Sequence, residues 1–452
     1  MKLKDKNVLI LGLAISGVST AKALNKLGSK ITVTDMKSEE ELKEHLVELK
    51  DIDIDYVLGS NNVDLGNIDL IVKSPGIPLE APIMKEALEK GIEVVTDIEL
   101  AYRISKNKFI AITGTNGKTT TTALTGELIK KAGLKCHVTG NIGVGILWEA
   151  VNTDENDIFV IEASSFQLES TKHFKPSISV ITNITPDHLN WHKTFDNYIN
   201  AKKKVLMNQE KGDYTILNYD DLLLREIGKK INSNLIYFSA GNKLDRGVYV
   251  DDCKIIINDG LKSINVMDYR DIRIPGKHNI ENALAVVAIG WAMGIEAEII
   301  ASTLKEFEGV EHRIEFVGSI SGVSFYNDSK GTNPDASIKA IEAINKPIIL
   351  IAGGIDKGGS FEEFIDSFDN KVKALILLGE TREKIKDTAI SKGFNNIYIV
   401  NSIKEAVKKS FELSESNDNV LLSPACASWD MFKSYEERGR MFKQAVKNLR
   451  ED

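Results

Sequence analysis

Thiols are scarce in this chain: among 452 residues only Cys136, Cys253 and Cys426 carry one. None falls in a C-x-x-C pair or in the Cys/His spacing of a zinc site, which argues against a redox couple or a structural zinc and makes a reducing cytoplasm the expected home. Basic charge is also short. The 57 Lys and Arg face 65 Asp and Glu, giving a formal charge of −8 and a pI near 5.6. Nucleic acid and anionic membrane surfaces usually meet a basic face, so neither is an expected partner, although local basic clefts stay compatible with that total. No apolar run approaches the ~20 residues that span a bilayer, and there is neither an internal repeat nor a low-complexity tract. The opening "MKLKDKNVLILGLAISGVSTAKA" has the outline of a secretory signal. Against that, Asp5 sits in the would-be basic region, Gly12 and Gly17 interrupt the apolar run, and a helix and a second strand, "KITVTD", follow. The stretch reads as the start of a βαβ unit.

What is present is an ordinary globular composition, 42% apolar and 27% charged. At ~150 residues per domain the length suggests three domains. Short apolar runs such as "NVLILGL", "IDLIVKSPG", "FIAITG", "DIFVIEASS", "ISVITN", "PIILIAGG", "KALILLG" and "NVLLSPA" alternate with segments of helical periodicity, the pattern of parallel sheets covered by helices. The expected class is therefore α/β. Boundaries are placed near 97 and 310, giving domains 1–97, 98–309 and 310–452. Several runs end in small polar residues, which suits ligands that bind beyond the carboxyl ends of strands.

Gly12-Leu13-Ala14-Ile15-Ser16-Gly17 follows the first strand and Asp35 ends the second. This is close to the dinucleotide fingerprint, but Ala14 occupies the position of the middle glycine that lets a pyrophosphate approach the backbone. Nucleotide binding and a merely tight turn are equally open readings at this point. "KSPGIP" (73–78) is a second strand-end loop, or a plain proline turn. The strongest motif is "FIAITGTNGKTT", where Gly114-Thr115-Asn116-Gly117-Lys118-Thr119-Thr120 joins an apolar strand to a helix. Amides there can ring phosphate oxygens, Lys118 can neutralise charge, and the Thr119 hydroxyl can ligate Mg²⁺. Ile112 stands where the general P-loop has its first glycine. Mg²⁺ needs further oxygen ligands, and two later strand ends supply candidates: Glu162 in "VIEASSFQLE", and His188 after "ISVITNITPD".

"GTNGKTT", "GNIG" (140–143), "EASSFQLE" (162–169), "NITPDHL" (183–189), "GKHNIENALA" (276–285), "EHRIE" (311–315) and "NDSKGTNP" (327–334) together resemble the Mur ligase family, in order along nearly the whole chain. The resemblance implies three domains: a Rossmann-like amino-terminal domain for a UDP-linked substrate, a central P-loop ATPase domain with a mainly parallel sheet, and a Rossmann-like carboxyl-terminal domain contributing to ATP and amino-acid binding. It implies an ATP-dependent amide ligase of peptidoglycan precursor synthesis, working through an acyl phosphate and releasing ADP and phosphate. "NDSKGTNP" with "SPACASWDMF" (423–432) resembles the branch that adds D-glutamate to UDP-N-acetylmuramoyl-L-alanine. A sister ligase, or a folylpolyglutamate-type ligase adding another amino acid, is the alternative; such members carry an Ala-His or Gly-His pair where this chain has Gly331 and Thr332.

Residue by residue, the resemblance implies that Lys118 is the P-loop lysine, that Thr119 and Glu162 are Mg²⁺ ligands, and that Asn141 lies near the reacting phosphate. His188 would serve a second Mg²⁺, so that ATP and two ions are the expected cofactors. Lys202, after the Tyr-x-x-Ala of "YINAKKKVL", matches the lysine that the family carbamylates. Asn279 and Asn282 match adenine or phosphate contacts, Arg313 a nucleotide contact, and Asp328 and Lys330 groups at the ATP and the reacting centre. Thr332, Lys357, Ser428 and Tyr435 match side chains that hold the two carboxylates of D-glutamate, with tyrosine at 435 where phenylalanine is usual. Ser16, Asp35 and Ser74 match contacts to the UDP part. The expected form is a cytoplasmic monomer acting on small molecules, without nucleic-acid or stable membrane association. Two rivals fail on residues: a P-loop switch would need Asn-Lys-x-Asp, and Asn345-Lys346-Pro347-Ile348 lacks the aspartate; a nicotinamide dehydrogenase would need a glycine at Ala14.

Overall fold

The computed structural model describes residues 1–140, 145–274, 276–344, 347–355 and 360–449. Three sheets follow one another along the chain. The first contains β1 (Asn7–Leu11), β2 (Lys30–Asp35), β3 (Ile54–Leu58), β4 (Leu70–Lys73) and β5 (Glu93–Val95), in the order β3-β2-β1-β4-β5. Every pairing in it is parallel. Helices cover parallel sheets on both faces, which is why β1 and β4 read as unbroken apolar runs and are buried almost throughout. The strand order reverses between β1 and β4, and the loops that follow those two strands, 12–14 and 74–81, share the crevice there.

The second sheet has nine strands: β6 (Lys108–Thr113), β7 (Cys136–Gly140), β8 (Ile158–Glu162), β9 (Ile178–Ile181), β10 (Tyr214–Asn218), β11 (Asn234–Ser239), β12 (Gly247–Asp251), β13 (Lys254–Asn258) and β14 (Ser263–Asp268). Their order is β14-β13-β12-β11-β10-β9-β6-β8-β7. It is parallel up to the β11/β12 pair, after which β12, β13 and β14 form an antiparallel extension. The third sheet comprises β15 (Glu315–Ile320), β16 (Val323–Asn327), β17 (Ile348–Ala352), β18 (Val372–Leu377), β19 (Ile397–Ile399) and β20 (Asn419–Leu422), in the order β15-β16-β20-β17-β18-β19. Only its edge pair β15/β16 is antiparallel. The expected three-domain α/β architecture with mainly parallel sheets is what the chain adopts.

By compactness the chain forms two units, 1–272 with 280–306, and 273–279 with 307–452. In the first unit a continuous core runs from Val8 and Leu24 through Ile98 and Phe159 to Leu217, so the first two sheets share it. Polar bonds pin the same seam. Ser19 Oγ donates to Gly145 O (2.8 Å) and accepts from Trp148 N (3.2 Å), and a Cβ on Gly145 would collide with Ser19. The buried carboxylate of Glu99 accepts the backbone N–H groups of Lys172 (3.0 Å), His173 (2.9 Å) and Phe174 (3.0 Å). In the second unit, separate apolar clusters line the two faces of the sheet. No helix among the described residues is long and apolar enough to cross a membrane.

Candidate active site

The loop 114–117 leaves β6 and enters the helix Lys118–Lys131, because two glycines permit what other residues would not. Gly114 (φ +149°) and Gly117 (φ +85°) both lie at positive φ, and a Cβ would run into Thr182 Oγ1 at the first and Asn282 Oδ1 at the second. The loop is anchored from the next strand: Asn116 N donates to Asn183 Oδ1 (2.9 Å), and Thr182 Oγ1 donates to Asn116 O (2.6 Å). Thr115 Oγ1 lies 3.1 Å from the Tyr198 hydroxyl. Lys118 Nζ bends back to Gly114 O (2.9 Å) and Thr115 O (2.8 Å), over the ring of amides a phosphate would enter. Thr119 and Thr120 are buried on the first turn. Asn282 reaches Thr121 Oγ1 (3.3 Å), which places it against this turn from a distant helix. Asn279 is buried as well.

Glu162 is buried at the end of β8, and the parallel register pairs it with Ile112 on one side and Gly140 on the other. Its carboxylate thus belongs to the strand end nearest the P-loop. His188 is exposed, at φ +52°, with its ring 4.9 Å from that of Phe166 and its Nε2 3.5 Å from Asp187. Lys202, on the helix Phe195–Lys203, is 1% exposed and donates to Gly114 O (2.6 Å), with Nζ 4.7 Å from the centre of the Tyr198 ring. Burial, reinforced by the charge of Lys118, drives its pKa well below the usual lysine value, while Asp187 and Glu162 pull the other way. The Thr119 hydroxyl on the first turn and the Glu162 carboxylate at the neighbouring strand end are oxygen donors of the kind that suits a hard divalent cation bound with a phosphate.

In the first sheet, Asp35 accepts Leu13 N (2.7 Å) and Lys37 N (2.9 Å), fixing the 12–17 turn, where Ser16 is half-buried. Ser74 packs on this turn, since a Cβ on Gly12 would come within 2.9 Å of its own Cβ. These three residues converge on the crevice at the β1/β4 reversal.

In the second unit, Asp328 is buried, its carboxylate accepting from Ser423 Oγ (2.7 Å) and Ile314 N (3.2 Å). Burial raises its pKa to about 7, with Ser423 and Arg313 opposing the rise. Arg313 sits between two residues in the left-handed region, His312 (φ +64°) and Ile314 (φ +46°), the latter a costly conformation for a β-branched side chain. Its Nε is buried without a hydrogen-bond partner among the described residues. Lys330 Nζ lies 5.8 Å from the centre of the Tyr435 ring, Thr332 is half-buried, and Ser428 is buried. Asn141 and Lys357 lie outside the described residues.

Sequence reading overlooked Arg438, which is 1% exposed and binds Ser329 Oγ (3.0 Å), Ser329 O (2.9 Å) and, through both terminal nitrogens, Cys426 O (3.2 Å each). It clamps the 328–332 loop to the 423–428 loop, yet in sequence it is one charge among several on an amphipathic helix. Tyr198 served only as a landmark for Lys202; its aromatic neighbour "HLNWH" was the available sign of a packed site.

Residues 6–96 match the MurD-like N-terminal domain of Mur ligases, 112–290 the Mur ligase middle domain, and 312–426 the Mur ligase glutamate ligase domain. A UDP-N-acetylmuramoylalanine--D-glutamate ligase from Thermoanaerobacter sp. (strain X514) is 51% identical over the whole of both chains, and one from Clostridioides difficile (strain 630) is 48% identical over the same extent. Among solved structures, the UDP-N-acetylmuramate-alanine ligase of Thermotoga maritima superposes with a TM-score of 0.63 at 19% identity, covering 98% of this chain and 99% of its own. The MurF ligase of the same organism, in complex with ADP, gives 0.59 at 15% identity with 99% of each chain covered. With all three segments matched in order and likeness running from end to end, the chain belongs to the Mur ligase family.

Proposed function

We propose that this chain is an ATP-dependent ligase that joins D-glutamate to UDP-N-acetylmuramoyl-L-alanine in peptidoglycan precursor synthesis. The observation that carries the chemistry is the convergence of Lys118, Thr119, Glu162 and Lys202 on one glycine loop, with Lys202 Nζ 2.6 Å from Gly114 O. The choice of D-glutamate is supported by the full-length relatives that bear that name. ATP transfers its γ-phosphoryl group to the alanyl carboxylate, because a carboxylate is a poor electrophile until it carries a leaving group. The amine of D-glutamate attacks the resulting acyl phosphate, and phosphate leaves from the tetrahedral intermediate.

Gly114 to Thr120 and Asn282 in the first unit, and Asn279, Arg313 and Asp328 in the second, are assigned as nucleotide contacts, and Lys118, Asn141 and Lys330 are assigned to stabilise charge that accumulates between the two anionic reactants. Thr119 and Glu162 would hold one Mg²⁺, and His188 with Lys202 a second; such ions, when bound, neutralise phosphate oxygens. Lys202 is assigned as a carbamate, an amine stem given a carboxylate head; the burial that disfavours its charged form supports this, since the unprotonated amine is what adds carbon dioxide. Ser16, Asp35 and Ser74 receive the UDP moiety, and Thr332, Lys357, Ser428 and Tyr435 the carboxylates of D-glutamate. The domain limits 1–97, 98–309 and 310–452 are supported by the three matched segments. A cytoplasmic monomer is the assigned form. Phosphate release with UDP-N-acetylmuramoyl-L-alanine, Mg-ATP and each candidate amino acid in turn tests the reading: release with D-glutamate is expected, and release with L-lysine instead would overturn it in favour of a sister ligase.

A further inference from the structure

Lys73 is the last residue of β4 and one of the largest side chains buried in the molecule, at 1% exposure. A lysine head taken out of water costs several kcal/mol unless its charge is met. Here the ammonium donates to Ile77 O (3.0 Å) and Ser74 O (3.4 Å), closing the loop 74–77 over its own head. The charges that face it come from other elements: Asp97, first residue of the helix Asp97–Ile104, and Glu169, which follows the helix Ser165–Leu168. Each partner is itself tied into the central domain. Asp97 accepts Ile98 N (2.9 Å), and the neighbouring Thr96 Oγ1 donates to Gln167 O (3.2 Å). Glu169 accepts Trp191 Nε1 (3.2 Å), stands 3.7 Å from His192 Nδ1, and has its carbonyl bonded by Lys204 Nζ. On one side of Lys73, then, is the strand-end loop that packs on Gly12 at the β1/β4 crevice. On the other are the segments that follow Glu162 and His188.

Resting on the proposed function, we infer that Lys73 is a positioning residue for the UDP-linked substrate, its buried ammonium bonding loop 74–77 from within while standing in the field of Asp97 and Glu169, and so fixing the substrate crevice relative to the phosphoryl-transfer residues. Burial holds the Lys73 pKa at about 8, against the pull of Glu169 and Asp97, so the ammonium carries its full charge below that pH and loses it above. Asp97, Glu169, His192 and Lys204 are the other titratable groups around it.

Lys73→Met keeps the stem and removes the charge; Lys73→Arg restores a charge with altered reach. In steady-state assays Lys73→Met is expected to raise KM for UDP-N-acetylmuramoyl-L-alanine at least fivefold, with KM for ATP and for D-glutamate within twofold of wild type and Lys73→Arg between the two. The wild-type KM for the UDP substrate should climb as pH passes about 8, and that of Lys73→Met should stay flat. An unchanged KM, or all three KM values rising together, overturns the inference. Amide exchange provides an arm that needs no substrate: in Lys73→Met, residues 74–77 and 165–169 should lose protection together, and loss confined to either segment refutes the coupling. If wild type releases no phosphate with any amino acid, the proposed function fails on that observation alone, and the exchange arm still decides whether Lys73 couples the two segments.

Discussion

Lys202 and Asp328 are both buried and both displaced from their usual ionisation, so their consequences for stability and activity separate. Burial disfavours the charged form of Lys202 in the native state, while the unfolded chain carries an ordinary lysine; the burial therefore works against stability until pH passes the ordinary lysine range. Lys202→Met should leave folding unharmed, or strengthen it by about 1 kcal/mol at pH 7 in urea titrations, while activity is lost. Short carboxylic acids should restore part of the activity of Lys202→Ala, since they return a carboxylate to the vacated space; absence of rescue would remove the support for a carbamate. Asp328 has its pKa raised, so the folded state retains a proton that the unfolded chain gives up near pH 4. Its contribution is complete below that range and is lost as pH rises through about 7. Asp328→Asn can keep Ile314 N satisfied and donate to Ser423 Oγ, whose own proton turns to Ser337 Oγ at 2.8 Å. Between pH 5 and pH 8 the wild type should lose stability relative to this variant by on the order of a few kcal/mol, and the variant should be inactive. Parallel pH dependence in the two proteins would refute the assignment.

Two strand-to-helix loops and one helix carry Lys330, Thr332, Ser428 and Tyr435, the residues proposed to face the amino-acid substrate. The helix Tyr435–Asn448 starts at a Ser434 cap and sends Arg438 inward, where it donates to neutral acceptors on the 328–332 and 423–428 loops, with Asp328 and Asp430 near enough to favour its charge. Removing the guanidinium withdraws the donors it gives to two buried carbonyls, Ser329 O and Cys426 O, at about 1–3 kcal/mol for one left unsatisfied. Arg438→Met is therefore expected to destabilise the second unit by roughly 3 kcal/mol, measured by urea unfolding, and to raise KM for D-glutamate before that for ATP. The β-strands were legible because parallel sheets demand continuous apolar runs, as in "PIILIA" and "FIAIT". The antiparallel β12–β14 extension was not, because "GVYVD", "KIIIN" and "SINVMD" are partly exposed and break the continuous apolar pattern, and the Asp259-Gly260 turn between the last two is the local sign of it.

Each compact unit carries its own apolar core, so the molecule is expected to unfold in more than one step. The four tryptophans are divided three to one: Trp148, Trp191 and Trp291 in the first unit, Trp429 in the second. In Trp429→Phe, fluorescence reports the first unit alone. A UDP-linked substrate at a hundred times its Kd should then shift that transition by about 2.7 kcal/mol, with a smaller shift in the step seen by far-UV circular dichroism that fluorescence does not follow. Equal shifts in both signals would mean that the units unfold as one.

The phosphate loop was readable from the chain alone, because Gly114, Gly117 and Lys118 act through backbone conformation and local spacing, and local sequence dictates both. Glu162 and His188 were readable as strand-end residues for the same reason. What joins them is set by register and long-range packing: β8 placed beside β6 brings Glu162 level with Ile112, and the helix bearing Lys202 drives an otherwise unremarkable lysine beneath Gly114. Of three consecutive lysines at 202–204, the family resemblance singled out the first, and only the tertiary structure shows it buried, with its charged form disfavoured. Lys73 and Arg438 stayed hidden for a related reason, since the bonds that give them their roles are made to carbonyls and carboxylates from distant segments, and no local pattern records where those will be.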